Sequence, residues 1–487
     1  MFSKNINLLE SVTDRKIVSS LADMACVFSK AKKELYLVGG CVRDLLLGKV
    51  PADYDLCTNL KPNEVKSLLD GVEFIRSLES EKTFKRYTFI DTGIKHGTIT
   101  VHDRMYDEFF EITTYRVDGK YTDGRHPDEV TFVPSLEEDL SRRDFTVNSF
   151  AYDITNKEVL ALEESFFNDL YCGIIRCVGD PTKRFKEDAL RMLRAIRFMA
   201  KLGFSIDPQT YAAISKSPSL IKNVSKERIR DELTKILMSD RPDVLVYIVL
   251  TGLEKYLFNG MTPLGDMLNC QHENKWHYTD VFHHTIDVVR GVPKVFELKW
   301  AALLHDSGKP SVKAPKDDGS GEYRYHDHQY ESEKIALDLM GILKFSNEQI
   351  AKISTYVRYH DIELAQCKMS KFKKALNEIG VDNFLEFMKL RCADSAAHNL
   401  LLDTKYAISN IDICYKRYNE VITTKQPLTL AGLAVDGYVM MDLGLKGKQV
   451  GDALQYLMEK VLDDPSLNEK EKLIDIIKVD ILPKYVV

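Results

Sequence analysis

Two aspartates, Asp53 and Asp55, follow a glycine pair in a pattern suited to phosphate and metal chemistry. Residues 36–38 form a short apolar run, and Gly39 and Gly40 directly after it predict a tight turn whose N–H groups can approach a phosphate. A second strand carrying Asp53 and Asp55 would place both carboxylates on one face, because side chains alternate along a strand. Paired carboxylates suit Mg²⁺, which takes substrate phosphates among its other ligands. The combination predicts a site of nucleotidyl transfer.

Asp188 and Arg191 form the second informative pair. Three residues apart on a predicted helix, they would lie on one face. Cytosine and adenine present an amine donor beside a ring-nitrogen acceptor, whereas uracil and guanine present a carbonyl beside a ring N–H. An aspartate acceptor next to an arginine donor matches the first order and rejects the second. The pair predicts selection of C and A without a nucleic-acid template, although the same spacing is typical of a surface ion pair.

Three segments, 37–58, 142–148 and 187–191, resemble the successive motifs of the bacterial-type tRNA nucleotidyltransferases, the CCA-adding enzymes related to bacterial poly(A) polymerases. The resemblance implies an α/β nucleotidyltransferase head with a polymerase-β-like mixed sheet, followed by all-α neck, body and tail domains. It also implies template-independent addition of CCA to the 3′ end of tRNA. CTP and ATP would be the substrates, tRNA the partner and Mg²⁺ the cofactor.

The resemblance assigns roles to individual residues, with Asp53 and Asp55 as the catalytic Mg²⁺ ligands. A third carboxylate often completes two-metal sites, and Glu111, on a predicted strand over 109–115, is the candidate. Nucleotide binding is assigned to a larger set: Gly39, Gly40 and Arg43 for the triphosphate, Arg143, Asp144 and Asn148 for ribose or phosphate, and Glu187, Asp188 and Arg191 in the base-selecting motif.

A second group of histidines and aspartates resembles the HD phosphohydrolase superfamily. Its members occur in the expected order: His284, His305, Asp306, His328, His360 and Asp394. The resemblance implies that the first three and the last hold one divalent or transition metal, while His328 and His360 supply a second ion. His326 is an alternative to His328. The implied activity is phosphatase or cyclic phosphodiesterase action on nucleotide or RNA ends.

Hydrophobic patterns predict the elements that position these residues. Strands are predicted at 35–38, 53–57, 84–90, 98–101, 109–115 and 130–133, and helices at 42–47 and 62–70. Beyond about residue 135 the pattern is mostly helical, with helices at 181–201 and 225–238. Residues 1–30 are predicted to be mostly helix. Residues 80–89 are predicted to include a mobile segment, and residues 310–327 are predicted to form a flexible loop.

These elements predict four domains. They are the head at 1–150, a helical neck that binds RNA and nucleotide at 151–275, the HD domain at 276–400 and a helical tail at 401–487. A length of 487 residues with 44% hydrophobic and 29% charged residues agrees with several globular domains.

No apolar run approaches the ~20 residues that span a bilayer, and no signal pattern opens the chain. The nine cysteines form no C-x-x-C pair, so we expect reduced thiols, a cytoplasmic location and no membrane contact.

The net charge of −6 is unevenly distributed. Residues 176–235 contain 14 Lys or Arg against 7 Asp or Glu, a surplus that suits phosphate contacts. Residues 446–487 contain 7 Lys or Arg against 8 Asp or Glu, so the tail is not basic. This argues against a poly(A) polymerase with a basic tail. A poly(A) polymerase, or an enzyme adding only CC or only A, remains the alternative. An inactive RNA-binding protein and a phosphohydrolase with an RNA-binding head are the alternatives from other classes.

Overall fold

The computed structural model describes residues 1–75, 83–91, 93–118, 130–133, 135–273, 279–398, 404–424 and 426–484. The chain forms two compact units, Met1–Gly260 and Met261–Val487. The first combines a mixed sheet with helices, and the second is almost entirely helical. This architecture confirms the predicted fold class, an α/β head followed by α-helical domains.

Eight of the fourteen strands described in the first unit belong to one sheet. Numbered along the chain, the strands are β1 (Phe2–Asn5), β2 (Tyr36–Val38), β3 (Leu56–Thr58), β4 (Glu73–Ile75), β5 (Thr83–Lys85), β6 (Tyr87–Ile90), β7 (Thr98–Asp103), β8 (Glu108–Thr114), β9 (Arg116–Asp118), β10 (Val130–Phe132), β11 (Phe150–Asp153), β12 (Glu158–Ala161), β13 (Ile174–Ile175), β14 (Ser205–Ile206), β15 (Ala314–Pro315) and β16 (Tyr323–Arg324). Eight form a sheet in the order β1-β12-β11-β2-β3-β8-β7-β6. Only its β3–β8 pairing is parallel, which confirms the predicted mixed sheet.

The sheet extends beyond the predicted head boundary at residue 150. The β11–β12 hairpin joins the sheet beside β2, and β1 pairs with β12 at its edge. The boundary at 150 is therefore too early, and residues 1–30 contain an edge strand as well as helix. These strands are only four residues long, so their period-2 pattern is weak in the sequence. Of the predicted mobile segment at 80–89, residues 80–82 lie outside the described residues and the rest contributes to β5 and β6.

The helices of the first unit cover the sheet and form the region that follows it. They are α1 (Arg15–Lys30), α2 (Gly40–Leu46), α3 (Pro62–Leu69), α4 (Leu136–Ser141), α5 (Ser165–Cys172), α6 (Pro181–Glu187), α7 (Leu190–Leu202), α8 (Pro208–Lys216), α9 (Lys226–Leu237), α10 (Val246–Leu250) and α11 (Glu254–Leu257). Helix α1 buries Leu21, Met24 and Phe28 completely, as its apolar spacing predicts.

The helix predicted over 181–201 is two helices. Helix α6 ends at Glu187, and Asp188 has an extended backbone with φ −143° and ψ 104°. Its carboxylate accepts a hydrogen bond of 3.0 Å from the N–H of Leu190, the first residue of α7. A side chain that bonds the local backbone in this way competes with a continuous helix. The prediction that Asp188 and Arg191 share one helical face is therefore wrong.

The second unit is a helical array with one small hairpin. Its helices are α12 (Pro263–Leu268), α13 (Val281–Gly291), α14 (Phe296–Leu304), α15 (Lys309–Val312), α16 (His328–Ile342), α17 (Asn347–Tyr359), α18 (Met369–Ile379), α19 (Val381–Ala397), α20 (Thr404–Thr423), α21 (Gly437–Asp442), α22 (Lys448–Asp463) and α23 (Lys470–Asp480). Strands β15 and β16 occupy the segment predicted as a flexible loop. Residues 433–481 have their own apolar cluster. None of the described helices is long and apolar enough to cross a membrane.

Candidate functional site

Asp53 and Asp55 precede β3 instead of lying within it, because that strand begins at Leu56. The alternation that the sequence predicts nevertheless extends to both residues. Tyr54 is buried, whereas Asp53 and Asp55 on either side of it are exposed. The N–H of Val38 donates to the carbonyl of Asp55 at 3.0 Å, which continues the pairing with β2 by one residue. The two carboxylates therefore remain on the same side of this segment.

The turn before α2 requires glycine at position 39. Gly39 has φ 78° and ψ −129°, a conformation that residues with a side chain rarely adopt. A Cβ atom at this position would lie 2.8 Å from Nη1 of Arg143. The missing side chain thus allows the backbone turn and a guanidinium to approach each other.

These residues border a cavity of about 590 Å³ in the first unit. Ten of the predicted site residues line it: Gly39, Gly40, Arg43, Asp53, Asp55, Arg143, Asp144, Asn148, Asp188 and Arg191. Six others were not predicted: Arg116, Arg142, Arg194, Arg197, Phe198 and Lys201. Eight of these sixteen residues are Arg or Lys and four are Asp, so the cavity suits a polyanion such as a triphosphate. The three- and four-residue spacing of the cations along α7 is a signal that could have identified them.

Asp55 lies among like charges. Asp55 is accessible to solvent but lies among protein atoms that partly desolvate its carboxylate. This desolvation, together with the charges of Asp53 and Glu111, raises the pKa of Asp55 to about 6 against the opposing effect of Arg143. The parallel pairing of β3 with β8 places Glu111 beside Asp55. Carboxylates in this arrangement fit a divalent cation, which removes their mutual repulsion. Glu111 lies outside the cavity lining, so its role as a third ligand stays a prediction.

A chain of buried polar side chains forms one wall of the cavity. Arg194 donates from Nε and Nη2 to Oδ2 of Asp144, at 2.8 and 2.6 Å. Asn148 donates to Oδ1 of Asp144 at 3.0 Å, and Arg43 donates to Asn148 at 2.5 Å. Burial favours a raised pKa for Asp144, but the charge of Arg194 and the Asn148 hydrogen bond outweigh it and lower the pKa to about 2. Asp144 is therefore an anion at neutral pH that orders its neighbours.

Asp188 and Arg191 line the same cavity, but each is paired with a different residue. Nη2 of Arg228 lies 3.0 Å from Oδ2 of Asp188, and Nη1 of Arg191 lies 2.7 Å from Oε2 of Glu187. Among the described ion pairs, none joins Asp188 to Arg191. Glu187, predicted to bind nucleotide, lies outside the cavity lining and holds Arg191. Arg228 was not predicted, because it is 40 residues from Asp188 along the chain.

The second unit brings together all six predicted histidine and aspartate residues. Helix α13 carries His284, α14 is followed by His305 and Asp306, α16 begins at His328, α17 is followed by His360, and α19 carries Asp394. The Nδ1 atoms of His305, His328 and His360 each contact a backbone carbonyl, at 2.8, 2.9 and 2.6 Å. Because a carbonyl can only accept, Nδ1–H of each ring donates to it, and in the neutral imidazole the lone pair is then on Nε2. This orientation is typical of metal-binding histidines.

The Nε2 atoms converge on Asp306. Nε2 of His305 lies 3.2 Å from Oδ2 of Asp306, and Nε2 of His328 lies 3.3 Å from Oδ1. The Nε2 atoms of His328 and His360 are 3.0 Å apart. Two lone pairs at this distance repel each other unless a proton or a cation lies between them. The residues therefore fit a divalent metal on each side of Asp306.

His284 and Asp394 complete the cluster. Nε2 of His284 lies 3.1 Å from Oδ1 of Asp394. The same oxygen lies 3.6 Å from Nε2 of His398, which was not predicted. The spacing of four residues between Asp394 and His398 is a sequence signal that could have identified it.

Lys309 is a second residue of this cluster that was not predicted. Its Nζ lies 2.7 Å from Oδ2 of Asp306. Burial favours a raised pKa for Asp306, but His305 and Lys309 hold that pKa well below its usual range. Of the two alternatives at 326 and 328, His328 is in contact with Asp306, while His326 lies on the lining of the adjacent cavity.

Family comparison agrees with the geometry of the first site. Residues 35–176, which include both aspartates and the 142–148 segment, match the family described as the poly A polymerase head domain. Residues 203–264 match the family described as a probable RNA and SrmB-binding site of polymerase A. Both matches end before the histidine–aspartate cluster begins, so its relationship to HD phosphohydrolases stays a prediction.

The curated relatives that match part of this chain include CCA-adding enzymes. That of Lactiplantibacillus plantarum is 44% identical over 225 residues, which cover 46% of this chain and 50% of the relative. That of Lactobacillus helveticus is 47% identical over 207 residues, which cover 42% and 46%. The chain thus spans about half the length of the curated relatives it matches. The predicted similarity to CCA-adding enzymes is confirmed over this part.

Solved structures share the fold over most of the chain. The Bacillus stearothermophilus CCA-adding enzyme in complex with CTP has a TM-score of 0.67 at 24% identity, covering 96% of this chain and 98% of that one. The Thermotoga maritima CCA-adding enzyme complexed with tRNA_CCA has a TM-score of 0.56 at 19% identity, covering 98% and 99%. At these identities the likeness shows the fold alone.

Mg²⁺ binding by the head domain is expected to weaken as the pH falls through about 6, because Asp55 must lose its proton to become a ligand. Glu111→Gln removes one charge that raises this pKa, so the midpoint should move to lower pH. Calorimetric titration with Mg²⁺ between about pH 5 and 8 measures both effects. The titration is carried out in the His305→Ala/Asp306→Ala variant, which lacks two predicted metal ligands of the histidine–aspartate cluster, so that binding at the head domain is measured alone. A midpoint unchanged by Glu111→Gln would contradict the coupling between Glu111 and Asp55.

Proposed function

We propose that this protein adds CCA to the 3′ end of tRNA from CTP and ATP without a nucleic-acid template. One observation carries the proposal: Asp53 and Asp55 share a single arginine-rich cavity with Asp188 and Arg191. Metal ligands, triphosphate-binding cations and base-reading groups are thereby available to one nucleotide. The similarity to CCA-adding enzymes supports the choice of substrate. The proposal includes a cytoplasmic location, which the nine free cysteines support.

The carboxylates of the cavity would bind metal, and its cations would bind phosphate. Asp53 and Asp55, with Glu111 beside them, would hold Mg²⁺. The bound ion supplies charge neutralisation at the triphosphate and activation of the attacking 3′-hydroxyl. Arg43 and Arg143 lie at the turn that begins with Gly39 and would bind the phosphate oxygens.

Base choice would depend on Asp188 and Arg191 acting from fixed positions. Arg228 holds the carboxylate of Asp188 by one oxygen, and Glu187 holds Arg191 by one nitrogen. The other oxygen of Asp188 accepts from the N–H of Leu190, and Arg191 also donates to the carbonyls of Arg184 and Arg142. Each group still retains hydrogen-bonding capacity, because a carboxylate has about four lone-pair sites and a guanidinium has five N–H donors. An acceptor beside a donor then matches the pairing edge of C and A and excludes that of U and G.

Nucleotide addition is tested on a tRNA that lacks CCA, with each NTP supplied alone and all supplied together. We expect CC from CTP alone and CCA from CTP with ATP. Asp53→Ala and Asp55→Ala should each abolish addition while tRNA binding persists, because that binding depends on many phosphate contacts. Asp107→Ala, which removes an exposed head carboxylate, is the matched control. Long runs of A would favour the poly(A) polymerase alternative, and products ending at CC or with A alone would favour the partial enzymes.

Base selection is tested with the same tRNA and with UTP or GTP. Asp188→Ala and Arg191→Ala should each lower discrimination against these nucleotides by about tenfold or more, since each removes one half of the edge match. Arg228→Ala should lower it less, because Asp188 keeps its charge but loses its position. Arg230→Ala, on the same helix and paired at the surface with Asp231, is the control. Loss of C and A incorporation with U and G still excluded would assign selection to other residues.

We propose a second activity for the histidine–aspartate cluster, metal-dependent hydrolysis of a phosphate ester such as a 2′,3′-cyclic phosphate. The supporting observation is that three imidazoles bind backbone carbonyls by Nδ1 and direct Nε2 towards the buried Asp306. A bound metal supplies a water of lowered pKa near neutral pH. The water oxygen forms a bond to phosphorus, the bond from phosphorus to the ribose oxygen breaks, and a water proton passes to that oxygen.

Hydrolysis is tested by metal content and by opening of a 2′,3′-cyclic nucleotide. His305→Ala/Asp306→Ala should lose both the bound metal and the activity, because it removes two ligands that contact each other. His283→Ala is the control, since His283 is adjacent in sequence to His284 but is exposed and paired with Asp280. Nucleotide addition by the head domain should be unaffected in both variants. Equal hydrolysis by the wild type and the double variant would exclude this site.

A further inference from the structure

A small hairpin, β15–β16, borders the histidine–aspartate cavity, which has a volume of about 300 Å³. The lining combines Asp306 and His360 with Lys316, Tyr323 and Arg324 from the hairpin. A basic and aromatic surface therefore lies beside a group of metal-type ligands. This combination of side chains is typical of sites that bind nucleotides, because cations bind phosphate and aromatic rings stack on bases.

The hairpin is tied to the centre of the cluster. Oη of Tyr325, the residue after β16, donates to the carbonyl of His272 at 2.6 Å. Nζ of Lys309 lies 5.7 Å from the centre of the Tyr325 ring and 2.7 Å from Oδ2 of Asp306. One lysine thus lies beside the residue that follows the hairpin and also contacts the buried carboxylate. The hairpin is held at a defined position relative to Asp306, as a recognition element requires.

Hydrogen bonds also order the turn of the hairpin. The N–H of Lys316 donates to the carbonyl of Glu322 at 2.8 Å. The carboxylate of Asp318 accepts from the N–H and the hydroxyl of Ser320, at 3.0 and 2.5 Å. Side chains on both strands are consequently presented from a fixed backbone, in a segment whose composition alone predicts flexibility.

The two cations of the hairpin are paired with carboxylates, of which one is partly buried and the other is exposed. Lys316 lies 2.5 Å from Glu322, and Arg324 lies 2.8 Å from Asp317, which is 80% exposed. The exposed pair of Arg324 and Asp317 contributes little and is easily exchanged. A phosphate accepts two parallel hydrogen bonds from a guanidinium and is a stronger partner than an exposed carboxylate. A phosphate in the cavity would therefore displace Asp317 from Arg324.

The two kinds of cation have different positions. Lys309 is in contact with Asp306 and is the natural partner of a phosphate that reacts at the cluster. Arg324 belongs to the hairpin, so it is available to a second phosphate. Tyr323 lies beside Arg324, with Nζ of Lys313 4.4 Å from the centre of its ring. A ligand that satisfies all three groups has two phosphates with a nucleoside between them.

We propose that the β15–β16 hairpin selects substrates whose reacting phosphate is on the 2′ or 3′ oxygen of a nucleoside that also has a 5′-phosphate. Arg324 binds the 5′-phosphate and Tyr323 stacks on the base. The inference rests on the proposed phosphohydrolase function. A cavity at the lower end of the ~300–1,000 Å³ range of small-ligand sites admits one nucleotide and excludes helical RNA. The nucleotide is either free or the last one of a strand.

The proposal is tested by steady-state kinetics of the full-length, metal-loaded protein on three substrates. They are bis(4-nitrophenyl) phosphate, adenosine 2′,3′-cyclic phosphate and a dinucleotide whose last nucleoside is adenosine with a 2′,3′-cyclic phosphate. Arg324→Ala should raise KM about tenfold for the dinucleotide alone, the size of one lost charge-assisted contact. Tyr323→Ala should raise KM for both adenosine substrates, and Tyr323→Phe should restore it. The surface variant Arg290→Ala, which breaks an exposed pair with Asp287, should change none of them.

The outcomes separate this inference from the proposed function. Equal losses on all three substrates, or no loss on any, would overturn the role of the hairpin while leaving hydrolysis intact. Hydrolysis of none of them by the wild type would remove the proposed activity. A binding measurement then decides the role of the hairpin: Co²⁺-loaded protein in the Asp53→Ala/Asp55→Ala background is titrated with adenosine 3′,5′-bisphosphate and followed by its visible spectrum. Weaker binding by Arg324→Ala supports the proposal, and equal binding or no spectral change overturns it.

Discussion

The carboxylate of Asp144 is the constraint on which the first site depends. It is 8% exposed and accepts hydrogen bonds from Arg194 on α7 and from Asn148 beside the sheet. Asn148 in turn holds Arg43 on α2, so one anion orders three segments of the chain. Without this charge, neighbouring guanidinium groups would repel each other in a partly buried space, where screening is weak. The cavity is thus arranged around an internal counter-charge before any substrate enters it.

The same principle explains why Asp188 and Arg191 are available to a ligand. Two opposite charges in one cavity would neutralise each other if they were in contact, and a base would then have to break that pair. Arg228 and Glu187 each take one member and keep the two apart. Oppositely charged supports therefore preserve the donor and acceptor functions of the cavity. In the second cluster the buried carboxylate of Asp306 likewise has a support of opposite charge, the ammonium group of Lys309.

Local patterns predict the elements that hold the candidate site residues but not the contacts between those residues. The apolar run before Gly39 predicts β2 at its observed position, and motif order brings ten predicted residues into one cavity. The break at Asp188 could not be predicted, because it depends on a side chain bonding the backbone of Leu190 while the apolar periodicity continues unchanged. Arg228 was missed for another reason, since only the tertiary fold brings it to Asp188. The hairpin at 314–324 was obscured by a composition that is typical of loops.

The conformation of Gly39 has a consequence for the substitutions that this protein can accept over time. Any residue with a Cβ at this position meets two separate obstacles, a backbone with φ 78° and ψ −129° and the Nη1 atom of Arg143 at 2.8 Å. Shortening Arg143 would relieve only the second, and rearranging the turn would relieve only the first. Nη1 is the end of a flexible side chain and can move, so the backbone conformation of the turn is the lasting constraint on this position. Adding a single Cβ atom at position 39 is therefore enough to strain the turn, which restricts this position to glycine.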